Sequence, residues 1–533
     1  MGKRKKINRR KFIQNSGMSV FGMSNLGMLS SLIVDGIMNK AIAQTSGMNK
    51  MYLYLQQYGA PPRWTWDLPL TPDGQTSKFI STDYIGNKFN GSSRNDKIDY
   101  GTKLLNGLHM PWMWGYDVAT PSGFSPMSNL MDGMMIIRGA NSTNPGHAVA
   151  ARLHYVPLGS NHSVSALSAD VSNAPIAGVN LGASKFEFRS RKGLSANSYG
   201  GTNDLIEKFL SPFETESLGS FDAEQAKILT ALQDSMGALS SISKRNSQLA
   251  EVIENSTKSA MDFFGNDFGN LKNLYRDLNN KYRDLVWRSI NPNRRLQGMS
   301  DKPLGSSNVS SRGTEYNYGS GITRQADMRD FFYNSTNMHT TAAKFAFAEF
   351  ALTNGLTSSI CAGIPPLGGL NTNGANRGQF YDEHSGGAFV STYVNMMYNL
   401  GLSSCLLELI SQLKAKGLYE NTVIDVGGEF GRKPRGDGSG SDHSAEATSN
   451  LLFSGAIDGS HVIGNIVGNN GGRPGTWGYQ GVNPTYGLLN VGHVGASIAS
   501  LLGAQSPVTA VPSLMEHKSN GKFKPKLPTG TIV

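Results

Sequence analysis

Three short stretches in the second half of the chain gather the side chains that do chemistry at a metal. They are Tyr381-Asp382-Glu383-His384, Gly428-Glu429-Phe430-Gly431-Arg432 and, ten residues on, Ser441-Asp442-His443. Carboxylate together with imidazole is the ligand set of zinc, manganese or iron, whereas calcium takes oxygen alone. Only ten histidines occur in 533 residues, and two of them stand beside acids here. Alternate side chains of an extended segment share a face, so Asp382 and His384 can point to one side. Any one stretch alone reads as surface Asp and His in a Gly-rich loop; the three together read as a site. The candidate metal residues are Asp382, His384 and His443, with Glu429 and Asp442 as further ligands or as supports behind them.

Asn141-Ser142-Thr143-Asn144-Pro145-Gly146-His147 is a further candidate. It follows an expected strand and opens an expected helix. A hydroxyl there faces backbone N–H groups and the positive helix end, which suits attack on a phosphate- or sulfate-like group. A nucleophilic Ser or Thr hydroxyl is one reading of this stretch, and an ordinary N-cap turn is the alternative. His493 is a weaker candidate ligand. Histidines 109, 154, 162, 339, 461 and 517 show no partner pattern and read as structural or exposed. Asp437–Asp442 lacks the Gly at position six and the Glu at position twelve of a calcium loop, and reads as a loop.

Loops of this kind need strands to hold them. Met51–Tyr58, Met134–Ala140, Leu356–Ile364, Thr422–Val426 and Asn450–Ser454 are the expected strands. Helices are expected from about 146, over 327–354 and 388–417, and at 496–503. The alternation predicts a doubly wound, mostly parallel α/β sheet, whose sites form at the carboxyl ends of strands. Residues 222–290 are polar and helix-periodic, and 296–325 are rich in Gly, Ser and Asn, as a linker would be. The expected organisation is a leader at 1–43, a first part of the core at 44–221, a helical insertion with linker at 222–325, and a second part of the core at 326–533. Cys361 falls in a strand-like run and Cys405 in a helix-like one, so a bridge and two buried thiols both stay open.

The formal charge of +10 is concentrated at the start. Residues 1–43 hold eight basic groups and one acid, leaving +3 for the remainder. A basic surface for nucleic acid is therefore not expected. Arg9-Arg10-Lys11-Phe12-Ile13 fits the twin-arginine export pattern; a weak apolar region follows, then Ala41-Ile42-Ala43 as a cleavage site. The expectation is a periplasmic or secreted protein with no transmembrane segment in the mature chain, since no later run reaches about 18 apolar residues.

Thr422–His443 (TVIDVGGEFGRKPRGDGSGSDH) resembles the hallmark of the domain-of-unknown-function 1501 family: a strand, GEFGR-T/K-P, a Gly-rich loop and a D-H pair. LLFSGAIDGSHVIGNI, ASIASLLG, Asp382-x-His384 and Asn144–His147 resemble further family segments. The likeness spans most of 50–505 and is specific over about 380–465. It implies twin-arginine export and a sheet of alkaline-phosphatase-like type, within the alkaline phosphatase and sulfatase superfamily. It also implies a first metal on Asp382, His384 and His443. The second metal of that superfamily uses an Asp after the first strand and a late Asp-His pair. Here the first loop reads YGAPPRWTWD and the late pair is Glu429-Phe430, so the resemblance carries a single or degenerate two-metal site. Thr143, four residues before His147, resembles the nucleophile segment of cofactor-independent phosphoglycerate mutases.

Two readings follow. One is an exported hydrolase of phosphate or sulfate esters that uses a divalent metal, zinc or manganese first. Its substrate is a small anionic ester or a glycan, and Arg432 either neutralises the anion or pairs with Glu429. The other is a catalytically silent protein of the same fold, binding a partner or glycan through Trp64, Trp66, Trp112 and Trp114. Core packing is the alternative fate of those rings.

Overall fold

The computed structural model describes residues 50–63, 66, 102–172, 174, 176–199, 268–290, 314–317, 323–326, 331–372, 375–377, 381–382, 384, 388–434, 441–467, 480–482 and 489–526. The expected leader (1–43) and residues 222–267 lie outside them.

The fold is α/β. Strands β1 (Met51–Gln56), β2 (Met134–Ala140), β3 (Val179–Leu181), β4 (Asn197–Tyr199), β5 (Ser359–Gly363), β6 (Thr422–Gly427), β9 (Thr448–Phe453) and β10 (Ser460–Ile463) make one sheet; β7 (Gly431–Pro434) and β8 (Ser441–Ser444) form a hairpin outside it. The sheet order is β10-β2-β9-β6-β1-β5-β3-β4. All pairings are parallel except the two made by β9. The sheet is thus mixed and mostly parallel. β9 runs backwards because the β7–β8 hairpin has already returned the chain to the carboxyl ends of β1, β2, β5 and β6.

Strands covered on both faces are apolar throughout. Every residue of β1, β2, β6 and β9 is buried. Alternation divides them between two cores. Met51, Leu53 and Leu55 pack with helices α3 (Phe268–Ile290), α4 (Ser335–Thr353) and α5 (Ala388–Ala415), while Tyr52 and Tyr54 pack with α1 (His147–Tyr155), α2 (Leu167–Val171) and α6 (Val491–Leu502). Cys361 lies in the second core and Cys405 in the first, both as free buried thiols, so the sheet stands between them and no bridge forms.

Trp66 and Trp114 also lie in the first core with no exposed surface, joined by the Trp114 indole N–H donating to the Trp66 carbonyl. Core packing is therefore their fate, which removes them as a binding surface; Trp64 lies outside the described residues. Three boundaries move as well. Residues 314–317 and 323–326 pair as a hairpin inside the expected linker. The helix expected from 327 starts at Ser335, because Phe331–Tyr333 is first paired with Gly368–Leu370 and Asn334 then caps the helix by accepting the Asn337 N–H at 3.1 Å. The closing helix begins at Val491, where the Asn490 side chain and His493 form a capping box. His493 is committed to that cap, accepting the Asn490 N–H at 3.2 Å, and does not face the other candidates.

α3 is fastened to its neighbours by charge. Lys281 Nζ lies 2.8 Å from Glu349 on α4 and 2.7 Å from Glu408 on α5, and the Tyr282 hydroxyl donates to Glu349 at 2.6 Å. Both carboxylates are nearly buried, so removing the lysine strands two like charges. Lys281→Met is expected to cost about 3 kcal/mol in urea denaturation, and adding Glu349→Gln and Glu408→Gln should restore most of it.

Candidate metal centre

Four strand ends deliver the site. The loop after β1 (57–60), the loop from β2 to α1 (141–147), the segment 381–384 downstream of β5, and the loop and hairpin after β6 (428–444) meet at one edge of the sheet. Their close approach demands small residues. Gly59 has φ +116°, and a Cβ there would stand 2.8 Å from Tyr381 Cβ and 2.9 Å from the Asp382 nitrogen. A Cβ on Gly431 would meet the Ala447 carbonyl oxygen at 2.0 Å. Neither position admits a side chain without moving backbone, which fixes where Asp382 and Arg432 sit.

Asp382 is the centre of the group. Its Oδ1 lies 3.0 Å from His384 Nε2 and 3.2 Å from His443 Nε2, and its Oδ2 lies 3.1 Å from His147 Nε2. The two Nε2 atoms of His384 and His443 are 2.8 Å apart. The other nitrogen of each ring is already engaged. His384 Nδ1 donates to the Ser441 carbonyl at 3.0 Å, His443 Nδ1 donates to the Pro145 carbonyl at 2.8 Å, and His147 Nδ1 donates to Glu429. A backbone carbonyl can only accept, so in His384 and His443 the hydrogen is on Nδ1. Neutral rings of that tautomer aim Nε2 lone pairs at each other and at a carboxylate. Such an arrangement is repulsive until a positive charge enters it. Imidazoles tied at Nδ1 and open at Nε2, with a carboxylate among them, are how proteins hold a transition metal. Among the described residues, His147, Asp382 and His443 offer ligand atoms all within 4.8 Å of one another. His384 stands beside this group, its Nε2 2.8 Å from that of His443 and 3.0 Å from Asp382 Oδ1.

The supporting groups are buried. Glu429 is enclosed, with Oε1 accepting the Gly59 N–H at 2.8 Å and Oε2 the Ala60 N–H at 3.2 Å. Its carboxylate is spent on those amides and on His147 Nδ1. It meets His147 at Nδ1, on the far side of the ring from Asp382 at Nε2, which is the supporting place of the two that the sequence left open to it. Arg432 is also enclosed. It donates to the Gly59 carbonyl at 2.8 Å, to the Ala60 carbonyl, and to Asp382 Oδ1. Its partners include Asp382, the Ser441 hydroxyl at 3.5 Å and the loop after β1, and its side chain has no surface in open solvent where an anion would arrive. Phe430 makes an apolar floor, its ring centre 4.8 Å from His147 and 4.3 Å from His443.

Burial alone would raise the Asp382 carboxyl, but the hydrogen bond and charge of Arg432, then His443 and His147, bring it down to about 2. His147 is raised, chiefly by its bond to Glu429. His443 is lowered, first by desolvation and then by the cations around it.

Asp442 is held apart. It neighbours His443 on β8, where successive side chains take opposite faces, and its Oδ1 approaches His384 Nδ1 only to 4.0 Å. Glu383 lies outside the described residues. Thr143 is exposed in the loop before His147 and has φ +62°, rare for a β-branched residue; Asn141 Oδ1 accepts its backbone N–H at 2.6 Å. Sequence reasoning missed His147 as a ligand candidate, although its place after a strand and at a helix start was the available signal. It missed Tyr58 altogether, whose ring centre is 5.7 Å from that of His147.

Residues 375–472 match the DUF1501 family. The family is described as a protein of unknown function. Comparison with curated proteins finds no match. The DUF1501 segment contains Asp382, His384, Glu429, Arg432, Asp442 and His443; His147 precedes it and meets Asp382 through the fold, while Thr143 lies exposed in the loop before His147. Among the described residues, no helix is long and apolar enough to cross a membrane.

His154, on α1 below the site, donates from Nε2 to the Glu429 carbonyl at 3.1 Å, and desolvation pulls its pKa down to about 4. The unfolded chain then binds the extra proton between pH 6.5 and 4, so stability falls as pH drops through that window. The expected loss from pH 7 to pH 5 is about 2 kcal/mol in urea denaturation, and His154→Gln should abolish that part of the slope.

Proposed function

We propose that this is an exported hydrolase of a phosphate or sulfate ester, with one metal held by His147, Asp382, His384 and His443 on a sheet of alkaline-phosphatase type. One observation carries the reading: imidazole nitrogens held open by bonds at their far side converge on a single carboxylate. That donor set fits zinc or manganese. A divalent metal bound there would supply Lewis-acid polarisation of the ester and lower the pKa of a nearby hydroxyl or water.

The chain's own groups have separate tasks. Glu429 fixes the tautomer and tilt of His147. Arg432 keeps Asp382 ionised and holds the loop after β1 against it. Phe430 excludes water from one side of the imidazoles. Thr143 presents a hydroxyl on the loop whose Pro145 carbonyl holds His443. As nucleophile it takes the phosphoryl or sulfuryl group, the alcohol leaves, and water then frees the threonine. Export rests on Arg9-Arg10 and the segment that follows.

A second reading keeps the metal as a structural clasp in a catalytically silent protein that binds a partner or glycan. One feature favours it: the loop after β1 contributes backbone amides and carbonyls at Gly59 and Ala60 where a two-metal enzyme needs a carboxylate. Assay of purified, metal-analysed protein on aryl phosphates and aryl sulfates separates the two. The hydrolase reading expects turnover of one ester class, lost in both His443→Ala and Thr143→Ala. Metal-replete protein with no turnover of either class would leave the clasp.

A further inference from the structure

Away from the strand ends, a cavity of about 390 Å³ opens between the second half of α3 and the start of α4. That size falls within the roughly 300–1,000 Å³ of small-ligand sites. Arg283, Asp284 and Trp287 line it from α3, and Tyr333, Ser335 and His339 from the other side. The hydrolase reading uses none of these residues.

The aromatic wall is built and left open. Trp287 is 45% exposed, although most large apolar side chains of this fold are buried. Its ring centre is 4.6 Å from that of Tyr333, with the planes at 52°. The Tyr333 hydroxyl donates to the Ile290 carbonyl at 3.2 Å, so this second ring is fixed by the end of α3. The exposed indole, stacked on a ring that the end of α3 holds, offers a face on which the apolar side of a sugar ring can stack.

The cavity's charge is positive. Asp284 is answered by Arg288 at 2.6 Å. Arg283 has no ion-pair partner among the described residues. Ser335 begins the 19-residue α4, whose first turn carries no acid, so its positive end adds to Arg283. His339 is lowered by desolvation and then by Arg283.

We propose that this cavity binds an acidic sugar unit of a glycan, its ring on Trp287 and Tyr333 and its carboxylate or sulfate at Arg283 and the start of α4. The inference does not rest on the metal centre. Calorimetric titration of the full chain with a uronic-acid tetrasaccharide, a sulfated tetrasaccharide and a neutral tetrasaccharide tests it. Saturable binding is expected for an acidic chain, about tenfold tighter than for the neutral one. Comparison of the two acidic chains names the anion. Trp287→Ala should weaken binding at least about tenfold, Trp287→Phe should retain most of it, and Arg283→Gln should weaken the acidic ligand alone. Arg276→Gln, elsewhere on α3, should leave glycan binding unchanged. Absence of acidic-glycan binding, binding indifferent to Trp287→Ala, or equal affinity for the neutral chain would overturn the assignment.

Discussion

His443→Ala is expected to lower metal affinity by about two orders of magnitude. A four-ligand zinc site is worth roughly 10–16 kcal/mol, so one ligand accounts for about 3 kcal/mol, or on the order of 10²-fold. The loss should be specific in position. Asp442→Asn alters the adjacent residue but leaves the group around Asp382 intact, and should keep metal content near that of the unaltered protein. Glu429→Gln should fall between them, because it removes no ligand but frees the His147 ring to turn; losses of about 10- to 100-fold are usual for such supports. Mass-spectrometric metal analysis after dialysis against a graded chelator reads all three. Equal loss in Asp442→Asn and His443→Ala would point to a general effect of charge near the hairpin instead of coordination.

Arg432→Met is expected to destabilise the chelator-treated protein by about 3–5 kcal/mol in chemical denaturation. The guanidinium is enclosed and answers the Gly59 and Ala60 carbonyls together with Asp382. Its removal leaves those acceptors with a lost partner and a carboxylate without its main cation. The pH dependence follows in sign. Asp382 is depressed to about 2, so its contribution is complete above the ordinary carboxylate range and is lost only as pH falls through about 2. In the variant the largest offset to the burial penalty is gone and only His443 and His147 remain, so the carboxyl should protonate at a higher pH than in the parent protein. Metal binding should then fail at a higher pH than in the parent protein. An unchanged pH midpoint would show that Arg432 supports the loop after β1 but not the charge of Asp382.

Much of this site was legible from residue types alone, for a physical reason. Asp382, His384 and His443 are rare side chains in loops directly after apolar strands, and the parallel arrangement brings such loops to one edge. Glu429 and Arg432 were found by the same reasoning, Glu429 as a ligand or a support and Arg432 as an anion partner or an ion-pair partner of Glu429. Only the backbone of Gly59 and Ala60, more than 360 positions away in the chain, reveals that both turn inward. His147 was hidden because its neighbours, Asn144 to Gly146, read as an ordinary turn, and its partner Glu429 is remote in sequence. The fold was readable where burial on both faces makes strands uniformly apolar, as in β1 and β6. It was less readable at 314–326, where a paired hairpin has the composition of a linker, and at β9, whose reversed direction depends on the hairpin before it and leaves no mark on its own residues.

The most direct test of the central claim is X-ray absorption spectroscopy on metal-loaded protein, read for the ligands around the ion. The expected spectrum shows imidazole scattering from three histidines, with nitrogen at about 2.0–2.1 Å for zinc and at least one oxygen at similar range. The imidazole count should fall by one in His147→Ala. A metal surrounded by oxygen alone, or an imidazole signal unchanged in that variant, would contradict the site described here.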